Sequence, residues 1–329
     1  MKYCFFLAEK AIGNVSPNPL VGALLVHNHR IIGEGYHNHF GGPHAEVKAL
    51  QSVSQGDRHL IPESTLYVSL EPCNHFGKTP PCTQLIHTSG IRKLYFSCVD
   101  PNPTMQGKSI SWMRQQGIEV YGPVLEEMGR KLIRPFATNV QLERPYVILK
   151  FAQTADAFIA QMEQRTKISN EITDLLVHRW RSECDAIAIG KNTLLIDDPL
   201  LSTRLWPGKS PVPVLFGGVE EHEKSNHRLF ARSPKVIELK QSGQEPATNL
   251  KEQLHGLYKL GIGILMVEGG AKTIQGFISA ELWDEARVIT NRSMTLGSGI
   301  PAPSLRGKLE NSFTLGSDHI CILQRSNHS

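Results

Sequence analysis

Apolar positions recur with two different spacings along the chain, and the spacing changes every ten to twenty residues. Short apolar or alternating runs at 20–26, 31–36, 65–70, 92–99 and 118–121, bounded by Gly, Pro, Asn or Asp, predict strands. Between them, 44–53, 81–88 and 107–116 carry helical spacing. In the first of these Val47, Ala49, Leu50 and Val53 form the apolar side, and Pro43 stands just ahead of it. An amphipathic helix is expected at the N-terminus, ending near Gly13, and one longer helix at 125–142 leads out of this half. Arg144-Pro145 interrupts the pattern, because the residue before a proline avoids the helical region. The pattern then restarts with a strand at 146–151, a helix at 171–184, strands at 186–190 and 212–216, a strand over 263–270 running into a glycine turn, and a helix at 272–280. Alternation of this kind predicts an α/β layer fold with a largely parallel sheet, in two domains, 1–143 and 144–329.

Composition agrees with two ordinary globular units: 329 residues, 40% hydrophobic and 20% charged. The net charge of +4 comes from scattered basic residues, so no nucleic-acid surface is indicated. The N-terminal apolar stretch is too short for a signal peptide, and no run approaches the ~20 residues of a membrane span. Six cysteines, at 4, 73, 82, 98, 184 and 321, show no disulfide framework. A reducing, cytoplasmic setting without membrane partners is the expectation.

Chemistry concentrates in His44-Ala45-Glu46, Glu71-Pro72-Cys73 and Cys82. One imidazole and two thiols suit a tetrahedral Zn²⁺ whose fourth position stays open for water, as catalysis requires. Glu46, two residues after the histidine, can move protons without being a ligand. His-x-Glu followed by Pro-Cys and a second Cys is the signature of zinc deaminases acting on ring amines. Two alternatives remain: ordinary buried residues, or a zinc staple without catalysis. The strand at 65–70 would deliver Cys73 from its end. Elsewhere Glu268-Gly269-Gly270 offers a turn between strand and helix that can cradle phosphate, although Gly-Gly can simply turn the chain. No Gly-x-Gly-x-x-Gly fingerprint is present.

Eight residues separate Cys73 from Cys82, and the string 71–82, Glu-Pro-Cys-Asn-His-Phe-Gly-Lys-Thr-Pro-Pro-Cys, closely resembles the deaminase half of the bifunctional riboflavin-biosynthesis deaminase/reductases. Pro17-Asn18-Pro19-Leu20-Val21-Gly22, Gly35-Tyr36-His37, Gly42-Pro43-His44-Ala45-Glu46 and Asp100-Pro101-Asn102-Pro103 extend the resemblance over about the first 140 residues. It implies a cytidine-deaminase-like three-layer domain that deaminates a phosphoribosylamino pyrimidine. His44, Cys73 and Cys82 would then bind zinc, Glu46 would be the proton carrier, and Asn18, His37, His75, Lys78, Asp100 and Asn102 would contact substrate. Taken alone, Asn18 and Asp100-Pro-Asn-Pro also read as turn residues.

The second half resembles the reductase domain of the same enzymes, related in fold to dihydrofolate reductase. The resemblance rests on 150–156, Ile168-Ser169, Arg181, Thr193, Asp197-Asp198-Pro199, Leu201, Arg204 and Val267-Glu268-Gly269-Gly270. It implies substrate contacts from Arg181, Leu201, Arg204 and Glu268, and NADPH contacts from Thr193, Asp197, Gly269 and Gly270. Arg181 and Arg204 suit bidentate phosphate binding, though single arginines are commonly solvated surface residues. The chain departs from the pattern at Thr154-Ala155-Asp156-Ala157, where the family has Ser-Leu-Asp-Gly, and at Arg165 and Lys167, where small and aromatic residues are usual. A phosphorylated pyrimidine as small-molecule partner and a homo-oligomer, dimer or tetramer, complete the expectations. A deaminase whose second domain has lost reduction is the competing reading.

Overall fold

The computed structural model describes residues 1–75, 80–162, 166–233, 235–240 and 245–326. They form two compact units, Met1–Glu143 and Arg144–Ser329.

The first unit runs α1 (Lys2–Glu9), β1 (Gly22–His27), β2 (Arg30–Tyr36), α2 (Ala45–Gln51), a 3₁₀ segment (Gln55–Glu63), β3 (Thr65–Val68), α3 (Cys82–Thr88), β4 (Lys93–Phe96), α4 (Lys108–Gln115), β5 (Glu119–Tyr121), α5 (Glu126–Leu132) and α6 (Arg134–Leu142). Its sheet has the order β2-β1-β3-β4-β5. Only β3, β4 and β5 are parallel; β1 is antiparallel to both neighbours, so the largely parallel sheet expected here is a mixed one. The reason is a two-residue hairpin. Asn28 and His29 both adopt left-handed backbone (φ 44° and 63°), the turn that matches strand twist, but they lack the Asn-Gly wording that announces it.

Alternation along β3 and β4 sends Leu66, Val68, Leu94 and Phe96 to one face. There they pack against Ala45, Ala49 and Val53 around α2, Ile86 of α3 and Met113 of α4. On the opposite face Cys4 and Leu7 of α1 cover Leu24, Tyr36 and Tyr67. That makes three layers. Two glycines let α2 lie directly on β2: a Cβ on Gly35 would stand 2.3 Å from Ala49 N, and one on Gly33 2.4 Å from Ala49 O. The expected single helix at 125–142 is two helices meeting at Ile133 (φ −100°, ψ 11°). Pro135 is the cause, since proline has no N–H for the helical ladder and its ring crowds the carbonyl four residues back.

The second unit continues with β6 (Tyr146–Thr154), β7 (Phe158–Ala160), α7 (Glu171–Ser182), β8 (Ala186–Gly190), α8 (Lys191–Asp197), β9 (Val212–Phe216), a 3₁₀ segment (Glu221–Asn226), α9 (Arg228–Arg232), β10 (Ile237–Leu239), α10 (Pro246–Lys259), β11 (Ile264–Val267), α11 (Ala271–Ser279), β12 (Glu285–Asn291), β13 (Ile300–Pro301), β14 (Lys308–Leu315) and β15 (Asp318–Gln324). The main sheet has the order β10-β9-β8-β11-β6-β12-β15-β14. It is parallel from β10 to β12 and closes with antiparallel β15 and β14. β8, every residue of which is buried, is a parallel strand covered on both faces. No helix among the described residues is long and apolar enough to cross a membrane.

Candidate active sites

His44 stands immediately before α2, and Glu46 lies in the first turn of that helix. Cys82 opens α3, and Cys73 lies in the segment leaving β3. Three separate elements thus converge. His44 Nδ1 is 3.3 Å from Cys82 Sγ and 3.5 Å from Cys73 Sγ, and the three donor atoms lie within 4.8 Å of one another. The backbone N–H of Cys82 donates to Cys73 Sγ at 3.3 Å. A hydrogen bond from the Cys82 thiol, joined by the His44 ring, holds Cys73 well below the usual thiol range, while Cys82 keeps its proton. One imidazole nitrogen and two sulfurs, one of them favoured as thiolate, are a donor set that fits Zn²⁺. Glu46 is 4% exposed, and burial, reinforced by Cys73, pushes its carboxyl up. A carboxyl so placed can hold a proton and release it.

Beneath the histidine ligand, His37 Nδ1–H donates to the Pro43 carbonyl at 3.0 Å. Its Nε2 is therefore the acceptor, and it receives the Asn18 amide at 3.0 Å. Burial lowers the His37 pKa, and the neutral ring meets the His44 ring edge-on with centroids 5.6 Å apart. The structure thus pairs the expected substrate contacts Asn18 and His37 with each other, as a strut under His44. His75 is exposed with Nδ1 3.3 Å from Met105 Sδ. Asp100 accepts from Asn102 N at 2.8 Å, and Asn102 Oδ1 accepts from the N–H and hydroxyl of Thr104. The turn geometry suggested by Asp100-Pro-Asn-Pro is present. Asn102 and His75 nevertheless line one common cavity. Lys78 lies outside the described residues.

Glu71 is the residue whose role the motif did not reveal. Its buried carboxylate accepts from the backbone of Asp100 (3.1 Å), Gly107 (3.0 Å) and Ser109 (3.2 Å), and from the Ser109 hydroxyl. Two residues later comes Cys73. One side chain therefore ties the metal-ligand segment to the loop entering α4. No local spacing announces this, because the donors lie 29 to 38 residues away.

In the second unit the chain moves outward through β8, β9 and β10 and then returns to place β11 between β8 and β6. Open parallel sheets bind ligands at the carboxyl ends of the strands flanking such a reversal. Glu268 follows β11 there. Arg181 of α7 grips it with both forks, Nε at 2.9 Å and Nη2 at 2.8 Å, and Lys150 Nζ of β6 lies 3.6 Å away. Burial alone would raise the Glu268 carboxyl, but Arg181 and Lys150 override it and hold the pKa at about 2. Arg181 Nη1 goes to the Ser202 carbonyl, so the guanidinium expected to meet phosphate is occupied within the protein. Leu201 is buried with left-handed backbone (φ 53°), and Arg204 is exposed.

Glycines Gly190 and Gly270 cap α8 and α11 at adjacent strand ends. The Gly270 N–H donates to Thr193 Oγ1 at 2.9 Å. A Cβ on Gly190 would meet Thr273 Oγ1 at 2.3 Å, so this turn needs glycine for helix packing. Asp197 ends α8, half-buried. Two capped helix starts at a strand-order reversal fit a nucleotide phosphate. Sequence reasoning missed His178, a buried neighbour of Arg181 on α7 whose Nδ1 accepts from Leu205 N at 3.5 Å. Ala157 keeps the glycine-like backbone of the motif it departs from (φ 61°), Lys167 pairs at the surface with Asp174 (3.1 Å), and Arg165 lies outside the described residues.

Residues 1–98 match the cytidine and deoxycytidylate deaminase zinc-binding region, and residues 145–321 match the RibD C-terminal domain. The riboflavin biosynthesis protein RibD of Aquifex aeolicus is 36% identical, over 99% of this chain and 97% of its own. The chain belongs to the RibD family. A Thermotoga maritima structure described as a diaminohydroxyphosphoribosylaminopyrimidine deaminase/5-amino-6-(5-phosphoribosylamino)uracil reductase is 34% identical, with a TM-score of 0.87 over 99% of this chain and 97% of that one. Acinetobacter baumannii RibD is 27% identical with a TM-score of 0.87, over 99% and 98% of the two chains. RibD is the bifunctional deaminase/reductase of riboflavin biosynthesis, and both of its domains are present here. The expected fold pairing, cytidine-deaminase-like followed by dihydrofolate-reductase-like, agrees with the matched RibD domains. Membership sets aside the zinc staple without catalysis.

Proposed function

We propose that the first unit hydrolytically deaminates a diaminopyrimidinone carrying a ribosylamino 5′-phosphate, and that the second reduces the ribosyl of the product to ribityl with NADPH. The observation that carries the first step is the convergence of His44 Nδ1, Cys73 Sγ and Cys82 Sγ beside the buried carboxyl of Glu46. His44, Cys73 and Cys82 would hold Zn²⁺, which would make water acidic enough to react as a nucleophile at neutral pH. Glu46 takes up the proton of water and passes it to the departing amine, so that water is consumed and ammonia leaves. Asn18 and the Pro43 carbonyl hold the His37 ring edge-on against His44 and so support the tilt of that ligand. Glu71 keeps the far wall, from Asp100 to Ser109, at constant distance from Cys73.

For the second step NADPH supplies the hydride. Thr193, Asp197, Gly269 and Gly270 are the residues that would hold it. Glu268, ionised between Arg181 and Lys150, accepts hydrogen bonds from sugar hydroxyls, and Lys150 Nζ presents protons beside them. Mass analysis of products made with and without NADPH tests both steps in one mixture. The expected species are the deaminated nucleotide without NADPH and its two-hydrogen reduction product with it. Deaminated product left unreduced would assign the second unit a binding role only, and unchanged substrate would sink the first step.

A further inference from the structure

Helix α7 carries Asp174, His178 and Arg181 at the spacing that puts side chains on one side of a helix. Arg181 joins Glu268 to the segment 201–206, because its Nη1 donates to the Ser202 carbonyl at 3.1 Å. His178 grips the same segment further on, where the Leu205 N–H donates to its Nδ1 at 3.5 Å. Between these grips the buried Thr203 hydroxyl meets Ser210 Oγ at 3.1 Å, and beyond them the Arg179 guanidinium lies 5.8 Å from the Trp206 ring centroid. From Ser202 to Trp206, Arg204 is the residue whose own atoms are not fastened. Its side chain is exposed, and no hydrogen bond to another described residue engages its guanidinium. The N–H that His178 accepts, however, belongs to the peptide group joining Arg204 to Leu205. A buried ring thus fixes the main chain at the foot of an unengaged cation.

We propose that His178 is a positioning residue of the second unit, which through the Leu205 N–H aims Arg204 at the phosphorylated substrate, a reading that rests on the reduction proposed above. An imidazole that accepts at Nδ1 carries its proton on Nε2, so the contact selects one tautomer of the neutral ring. Only the neutral ring can accept. Burial first, then the Arg181 and Arg204 guanidiniums, keep it uncharged against the weaker pull of Glu268 and Asp174. An arginine on an unheld backbone loses more freedom when it closes on an anion than one whose main chain is already fixed. His178 and Arg181 together supply that fixation from one helix, and Arg181 also reaches Glu268. The anion-binding arm and the carboxylate are therefore held by the same element.

The test is NADPH oxidation by the full chain supplied with the deaminated nucleotide. His178→Leu, which keeps bulk and removes the acceptor, should raise KM for the nucleotide about tenfold with kcat within about threefold, as when binding common to ground and transition states is lost. KM for NADPH should not move. His178→Asn, whose Oδ1 can stand where Nδ1 stood, should restore most of the loss, whereas His178→Gln, whose amide reaches the place of Nε2, should not. That pair carries the comparison if His178→Leu fails to fold. In an Arg204→Ala chain, His178→Leu should add less than about twofold, because the two residues act as one unit. Equal losses with and without Arg204, a matching loss of NADPH affinity, or His178→Asn as impaired as His178→Gln would overturn the positioning role. Calorimetric titration with the deaminated nucleotide alone separates this role from the chemistry. If the unaltered chain binds the nucleotide in a His178-dependent way yet oxidises no NADPH, the reduction reading falls and the positioning role stands. Binding that His178→Leu and His178→Gln leave unchanged would overturn the positioning role alone.

Discussion

Glu46 and Ala157 show how differently single residues declare themselves. Glu46 was legible, because the His-x-Glu spacing names its work, and its burial next to Cys73 supplies the raised proton affinity that the work needs. Glu46→Gln should lower kcat for deamination by about 10²–10⁴-fold, the range of general acid–base effects, with zinc content by elemental analysis unchanged. Activity within a few-fold of the original would remove Glu46 from the proton path. Ala157 reads as a lost glycine, yet the backbone kept the left-handed conformation (φ 61°), which costs a residue with a Cβ about 1–2 kcal/mol. Because glycine also loosens the unfolded chain, Ala157→Gly should stabilise by only about 0.5–1 kcal/mol, read from the urea midpoint. Destabilisation would mean that the turn, fastened through Asp156 to Leu296 and Gly297, does not feel that strain. Glu71 was invisible for the opposite reason. Its partners are mainly backbone amides, which no residue type records.

At the level of elements, β1–β5 and the helices that begin at Ala45 and Cys82 could be read from spacing, because their burial follows the period of the element. The β1–β2 turn, the break at Ile133 and the closing hairpin of β14 and β15 could not. Asn28-His29 carries no glycine, one proline decided the break, and β14 is mostly exposed, so it lacks a clean alternation. Helix α7 brings together a further feature without a motif. His178 is held neutral first by burial and then by Arg181 and Arg204, against the weaker pull of Glu268 and Asp174, and its pKa falls to about 4. Between that value and the ordinary 6.5 the unfolded chain binds a proton that the folded chain refuses. Stability should therefore be constant above pH 6.5 and decline as pH falls from there toward 4. Glu268, depressed to about 2, extends the decline below its ordinary 4.5. Urea unfolding at several pH values checks this, and His178→Gln should flatten the upper window. An unchanged slope would place the titration elsewhere.

For the whole molecule, two compact units with separate hydrophobic clusters predict that their chemistries can be lost one at a time. Chelation of zinc should abolish deamination while NADPH oxidation on pre-deaminated product continues at its former rate, followed by absorbance in the same cuvette. Parallel loss of both rates would show that the second unit depends on the metal of the first. The order of the two units along the chain was legible, since each half carries its own strings. The identity of the reductase residues was harder to read. Arg181 reads from sequence as a phosphate fork, and the structure adds a pairing with Glu268, 87 residues away, that no local pattern records.

The Glu71 clamp bears on which inherited changes this protein tolerates. Three of its four donors are main-chain N–H groups, at Asp100, Gly107 and Ser109. Side chains between those points can vary while the clamp persists, but the number of residues between them cannot. A one-residue deletion within 101–106 would pull on Cys73 as surely as a change of ligand, although every metal-binding residue remained in place. Comparisons that score only the identity of ligands would call such a variant intact.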